Sequence, residues 1–281
     1  MPKLRKIRDC LLLAHAANLI DDEEFVVLYD VNKSKNPDFP YWSYQHFDLD
    51  SLNDDECKAE FRFLRSDIYR LLEVFQFPEH FTCYNGTVYD STEALCIFLK
   101  RFAYPCRYLD MIPRFGRPVP QLSMISNHVM NILYESWSHL LRNFQQDWLS
   151  VNNMEYFADI IHQSGAPLSN CWGFVDGTVR PVSRPGRNQR IVYNGHKKVH
   201  ALKFQSVVAP NGLVANLFGP VEGKRHDSGM LADSGLLQQM TQHCFRPNGS
   251  PLCIYGDPAY PLSVHLQAGF KGANITPQQL I

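Results

Sequence analysis

The chain has 281 residues, 45% of them hydrophobic and 20% charged. That is enough apolar material for a full core, which excludes a wholly disordered chain. Lys and Arg total 27 against 28 Asp and Glu, a net charge of −1, so a globally basic nucleic-acid coat and a polyanionic tail are both excluded. Any electrostatic partner must be met by local asymmetry.

From the amino end, Lys3, Arg5, Lys6 and Arg8 precede an apolar stretch at 10–20. It is interrupted by His15 and Asn18 and falls short of the roughly 20 residues that cross a bilayer. A secretory leader has the same basic-then-apolar start, but Asp9 at the edge and the lack of a clean cleavage region favour an amphipathic first helix. Residues 1–85 then alternate helical periodicity with acidic connectors: Asp21, Asp22, Glu23 and Glu24, the stretch 33–40, then Asp54, Asp55 and Glu56. The run 61–75 has apolar residues at helical spacing and predicts one packed helix, with Pro78 beyond it.

Residues 86–165 predict a helical domain. Asp90 and Glu93 fit a capping box, after which Ala94, Leu95, Phe98, Leu99 and Phe102 would line one face. Pro105 stops that helix. A short one follows at 107–112, then a turn at 115–118, then a long helix from Pro120 through Trp137. Arg101, Arg107, Arg114 and Arg117 flank the set. The pattern suits a helix-turn-helix DNA reader and equally an ordinary three-helix bundle with a solvated basic face.

Residues 166–281 change to strand texture. The apolar run 171–175 ends in Asp176-Gly177. Segments 200–209 and 213–221 are β-rich and joined by Pro210-Asn211-Gly212, a hairpin signal. A helix opening at Asp227 carries Met230, Leu231, Leu236, Leu237 and Met240, and a last strand at 252–255 runs into Gly256-Asp257. Asp176 and Asp257 thus each follow an apolar strand. If those strands are parallel neighbours, both carboxylates reach one sheet edge, where α/β folds place ligands. Paired carboxylates suit hard divalent ions, and two such ions about 4 Å apart can promote phosphodiester hydrolysis. Asp227 would join them or cap its helix.

Between Asp176 and Glu222 no acidic residue occurs, while Arg180, Arg184, Arg187, Arg190, Lys197, Lys198 and Lys203 do. Lys224 and Arg225, with His226, extend the same field beside Asp227. A one-signed segment between candidate metal ligands complements a polyanion laid across the site; a solvated basic loop is the plainer alternative. His196 and His200 have H-x-x-x-H spacing, but at a strand mouth this does not set both on one face. Ser183 and Ser228 lack an evident His/Asp arrangement for a serine hydrolase, and no phosphate-cradling glycine loop occurs. The 8 cysteines include no C-x-x-C pair, which points to reduced thiols and an intracellular protein. Sequons occur at Asn85, Asn248 and Asn274.

Four ordered blocks carry a resemblance: GFVDGT at 173–178, YNGHKKVHALKFQ at 193–205, GPVEGKRHDSGML at 219–231 and YGDPAYPL at 255–262. Over roughly 170–270 the chain resembles the DDE superfamily endonuclease domain of Harbinger-type transposases. The stretch 92–111 with FGRP at 115–118 is similar to the helix-turn-helix region that precedes such domains, which raises the DNA-reader alternative above the bundle. The resemblance implies an α/β fold: an RNase H-like mixed sheet, preceded by a helical domain. It implies a Mg²⁺ or Mn²⁺ site, with Asp176, Asp227 and Asp257 as catalytic metal ligands. Asp176 and Asp257 would be the paired core ligands, and which of Asp227 and Asp257 is the second catalytic acid stays open. The family supplies a further acid, usually Glu, roughly 35 residues past the last strand. No Asp or Glu follows Asp257, so the expectation is a C-terminally truncated member.

Two functions follow from that resemblance: a metal-dependent DNA nuclease, or an inactive transposase-derived DNA-binding or interaction protein. DNA is the implied partner, with a separate DNA-binding protein and self-association as further options. No membrane partner is expected. The nucleus is the implied compartment, the cytoplasm its alternative.

Overall fold

A computed structural model describes residues 4–32, 39–83, 86–144 and 146–269. Lys3, residues 33–38, Asn85 and Asn274, named above, lie outside the described residues. The chain forms two compact units, Met1–Leu133 and Tyr134–Ile281.

In the first unit, helices α1 (Leu4–Ala16) and α2 (Asp22–Val31) precede α3 (Asp54–Phe61) and α4 (Arg65–Phe75). The acidic clusters read as connectors are helix starts. Asp21 and Glu24 close a capping box on α2, as Asn53 and Glu56 do on α3. Carboxylates in a first turn meet unpaired N–H groups and the positive end of the helix dipole. The single helix expected over 61–75 is instead two. Arg62 takes a left-handed conformation at φ 65°, and its Nε donates to the Ala103 carbonyl at 3.0 Å.

The hairpin β1 (His80–Thr82) and β2 (Val88–Asp90) leads into α5 (Ser91–Ala103), α6 (Tyr108–Phe115) and α7 (Val119–Trp137). Asp90 caps α5 as expected. Glu93, however, does not complete a box. It is buried and accepts from Arg117 Nε and Nη2 at 2.5 and 2.6 Å. The expected apolar face also shifts. Residues 93–97 of α5 are buried all round, while Phe102 is 64% exposed. Gly116 ends α6 at φ 58°, where a Cβ would stand 2.8 Å from the Gln45 carbonyl oxygen. Phe61, Ile68, Leu95, Met111, Phe115 and Ile125 fill this core.

The second unit begins with the end of α7 and two 3₁₀ turns, Ser138–Leu141 and Asp147–Leu149, before α8 (Val151–Gln163). Next come β3 (Cys171–Pro181), α9 (Gln189–Val192), β4 (Tyr193–Asn194), β5 (Val199–Val208), β6 (Val214–Glu222), α10 (Asp227–Ser234), α11 (Leu236–His243), β7 (Cys253–Gly256) and β8 (Leu266–Ala268). Among the described residues these strands form one six-stranded sheet, β4-β5-β3-β7-β8, with β6 also on β5. β5 runs antiparallel to β3 and β6, whereas β7 and β8 run parallel to β3. The 210–212 turn joins β5 to β6, and Gly212 there has φ 83°. The helix expected from Asp227 is broken by Gly235 at φ 64°. Trp172, Val207, Leu236, Met240, Ile254 and Leu266 form the core.

All eight cysteines are free. No helix among the described residues is long and apolar enough to cross a membrane.

Candidate functional site

The sheet register delivers the first two acids. In the parallel pair, Val175 of β3 sits opposite Gly256 of β7, so Asp176 and Asp257 are the next residues on neighbouring strands about 5 Å apart. β7 stops there, whereas β3 continues alongside β5 to Pro181. Asp176 is therefore the first β3 residue without a partner on that side, and both carboxylates are exposed. Asp257 Oδ1 accepts the Ala259 N–H at 2.9 Å, an Asx turn that fixes one oxygen locally. Asp176 Oδ1 accepts the Gly177 N–H at 2.8 Å.

Asp227 arrives from the other side as the first residue of α10. Its carboxylate lies against the β3 backbone, since a Cβ at Gly177 would stand 2.3 Å from Asp227 Oδ1. The glycine following Asp176 is thus a packing requirement. Gly177→Ala is expected to push Asp227 out of place and destabilise the chain by about 1–3 kcal/mol. Urea unfolding of the variant checks this, and an unchanged midpoint contradicts it.

Asp227 Oδ1 also accepts from Lys203 Nζ at 2.7 Å, and the same ammonium donates to the Arg225 carbonyl at 2.8 Å. The Lys203 side chain is 6% exposed and that of Asp227 24%. Lys203, expected on the DNA-facing basic surface, instead belongs to the acidic cluster.

A cleft of about 700 Å³ gathers Asp176, Asp227 and Asp257 with Lys197, Lys203, Lys224 and Arg225, and also Asn194, His196 and His226. Arg180, Arg184, Arg187, Arg190 and Lys198 lie outside its lining, exposed, the first near the end of β3 and the others between β3 and β5. Arg184 Nε bonds to Gln189 Oε1 at 3.0 Å, and Arg225 pairs with Asp233. Among the described residues no carboxylate stands within ion-pair distance of Arg180, Arg187, Arg190, Lys197, Lys198 or Lys224. The two histidines of the H-x-x-x-H spacing part: His196 lines the cleft, while the His200 ring meets Tyr193.

The arginines flanking the helical set are largely engaged. Arg101 donates to the Cys106 carbonyl at 2.5 Å, Arg114 stands 3.6 Å from Glu60, and Arg117 is held by Glu93. α7 carries no Lys or Arg.

Two contributors escaped sequence reading. Asn194 is buried; its Nδ2 donates to the Gly223 carbonyl at 2.8 Å and its Oδ1 accepts the Lys197 N–H at 2.8 Å, which ties the 195–198 turn to the segment before α10. Tyr260, 3% exposed, is the other. Its phenol is pushed well up, first by burial and then by the charges of Asp227, Asp176 and Asp257. All three carboxylates therefore act on one hydroxyl.

Exposed, neighbouring carboxylates at Asp176 and Asp257 fit a hard divalent cation, which takes oxygen ligands. Asp227 fits less directly, because Lys203 already neutralises it. Among the described residues no three His, Cys, Asp or Glu side chains stand in ready-made metal-ligating positions.

Residues 175–281 match the family described as DDE superfamily endonuclease. The matched segment starts one residue before Asp176 and spans all three acids and the basic stretch. No curated protein and no solved structure matches the chain.

Proposed function

We propose that this chain is a metal-dependent DNA endonuclease of the transposase type. The observation that carries the proposal is the parallel register of Val175 with Gly256, which sets Asp176 and Asp257 side by side within the segment similar to DDE endonucleases. The sheet supports an RNase H-like fold: antiparallel strands on one side of β3, parallel strands on the other, and helices α10 and α11 between β6 and β7.

In phosphodiester hydrolysis a water oxygen bonds to phosphorus, the bond to the leaving sugar oxygen breaks, and that oxygen takes up a proton. Mg²⁺ or Mn²⁺, when bound, would supply Lewis-acid polarisation of the phosphate and a lowered pKa for the attacking water. Asp176 and Asp257 would hold and orient the cation. Asp227 is the third acid, steadied by Lys203. Lys197, Lys224 and Arg225 at the cleft, with Arg180, Arg184, Arg187, Arg190 and Lys198 beyond it, meet the phosphate backbone. DNA as substrate places the protein in the nucleus. Helices α5–α7 act as the DNA-reading part, through polar rather than basic groups on α7, alone or with a separate DNA-binding partner.

Incubation of supercoiled plasmid with the protein tests the proposal. Nicking is expected with Mg²⁺ or Mn²⁺ and none with a chelator; binding without nicking under either ion removes the enzyme. A second function, DNA binding without cleavage, is favoured by one observation, the Lys203 ammonium already seated on Asp227. It is the outcome that remains if DNA is held but stays intact.

Phosphate contacts release counterions, so affinity falls with salt. Replacing Lys197 and Lys224 together by Ala is expected to shrink the slope of log affinity against log salt by about 2, one for each lost contact. Fluorescence anisotropy across a salt series reads this slope, and an unchanged slope removes both lysines from the DNA surface.

A further inference from the structure

Tyr260 has the least expected environment in the second unit. Its hydroxyl is buried and has no hydrogen-bond partner among the described residues, although buried hydroxyls are as a rule paired. Leaving such a group unpaired costs stability, and a phenylalanine of the same shape would avoid that cost. The position is nevertheless held firmly. The backbone N–H of Tyr260 donates to the Asp257 carbonyl at 3.1 Å, closing the turn that also aims Asp257. Its ring lies against Gly256, where a Cβ would come within 2.9 Å of the ring and of Val175 Cγ1. The last residue of β7, directly before Asp257, is thus a glycine that lets the Tyr260 ring pack there.

We propose that Tyr260 is a positioning residue, whose hydroxyl donates a hydrogen bond to the Asp176–Asp227–Asp257 carboxylates when they turn to hold a cation. This rests on the metal-dependent reading of the same site. Three features support it. The hydroxyl lies in the field of all three acids, that of Asp227 being the strongest. A phenol is protonated at physiological pH and so is a donor there. The acids have room to accept: Asp176 and Asp257 each use only Oδ1 in a hydrogen bond within the protein, and so does Asp227, towards Lys203. A donor behind a ligating carboxylate fixes its orientation and raises affinity for the ion. Aspartates alone at a sheet edge would hold a cation loosely, so an orphaned hydroxyl in the turn that follows Asp257 has a physical role there.

The test is Mn²⁺ binding to the full chain, by calorimetry or water-proton relaxation, in the wild type, Tyr260→Phe and Asp176→Asn. Tyr260→Phe is expected to bind Mn²⁺ about tenfold more weakly, with a melting temperature equal to or above that of the wild type. Equal Mn²⁺ affinity in wild type and Tyr260→Phe overturns the role of Tyr260 while leaving the metal site in place. No Mn²⁺ binding by the wild type, or binding indifferent to Asp176→Asn, overturns the metal site itself and Tyr260 with it. Should Tyr260→Phe fail to fold, fluorine NMR of the chain carrying 3-fluorotyrosine at position 260 answers the question. A shift of that resonance on adding Mg²⁺ is expected, and its constancy overturns the proposal.

Discussion

Replacing Asp176 or Asp257 by Asn is expected to abolish plasmid nicking, with rates falling more than about a hundredfold, the loss that removing a mere supporting partner of a metal ligand already reaches. The two substitutions should be equally severe, because the register makes the two carboxylates equivalent neighbours at the end of one parallel strand pair. Both are exposed, so neither change leaves a buried group unpaired, and stability should move by no more than about 0.5 kcal/mol. That contrast separates a functional acid from a structural one. Nicking rates and thermal melts on the same preparations supply the two numbers. Full nicking by either variant would detach that carboxylate from the chemistry, and a large fall in melting temperature would make it a structural residue.

Much of the second unit was legible from the sequence, for a physical reason. An apolar run that stops at Asp-Gly or Gly-Asp is a buried strand reaching solvent, and both 171–175 and 252–255 end that way. The parallel pairing was not legible, because periodicity says nothing about which strand lies beside which. Lys203 is a different kind of miss. Strand alternation places Ala201, Lys203, Gln205 and Val207 on one face, and all four are buried; period two contained the answer. Apolar residues on both faces of β5, Leu202, Phe204 and Val208 among them, hid which face was inward, and a lysine reads by default as solvated. Glu93 failed for lack of range. Its spacing from Asp90 fits a capping box, but its partner Arg117 lies 24 residues on, beyond any local pattern. Tyr260 stands three residues past Asp257, at a spacing that signals nothing until the turn is seen to bury its ring against Gly256.

The Lys203–Asp227 pair decides how the third acid behaves, and Lys203→Met is expected to destabilise the chain most among single changes at the site. Met matches the length of the lysine stem but leaves Asp227 largely buried, beside two other carboxylates, with no positive charge against it. Breaking a buried pair by removing one partner costs about 3–5 kcal/mol, since the remaining charge stays uncompensated. The partial exposure of Asp227 places the expected loss near the lower end, about 3 kcal/mol, or roughly 6–12 °C in melting temperature for a chain of this size. Adding Asp227→Asn to Lys203→Met removes the stranded charge, so the double variant should melt above Lys203→Met, with a coupling of about 1–3 kcal/mol. Added Mn²⁺ should also raise the melting temperature of Lys203→Met more than that of the wild type, because a cation that binds only the folded chain stabilises it and Asp227 is then free to receive one. Additive effects in the double variant, together with equal Mn²⁺ responses, would mean that the ammonium and the carboxylate share the cleft without depending on each other.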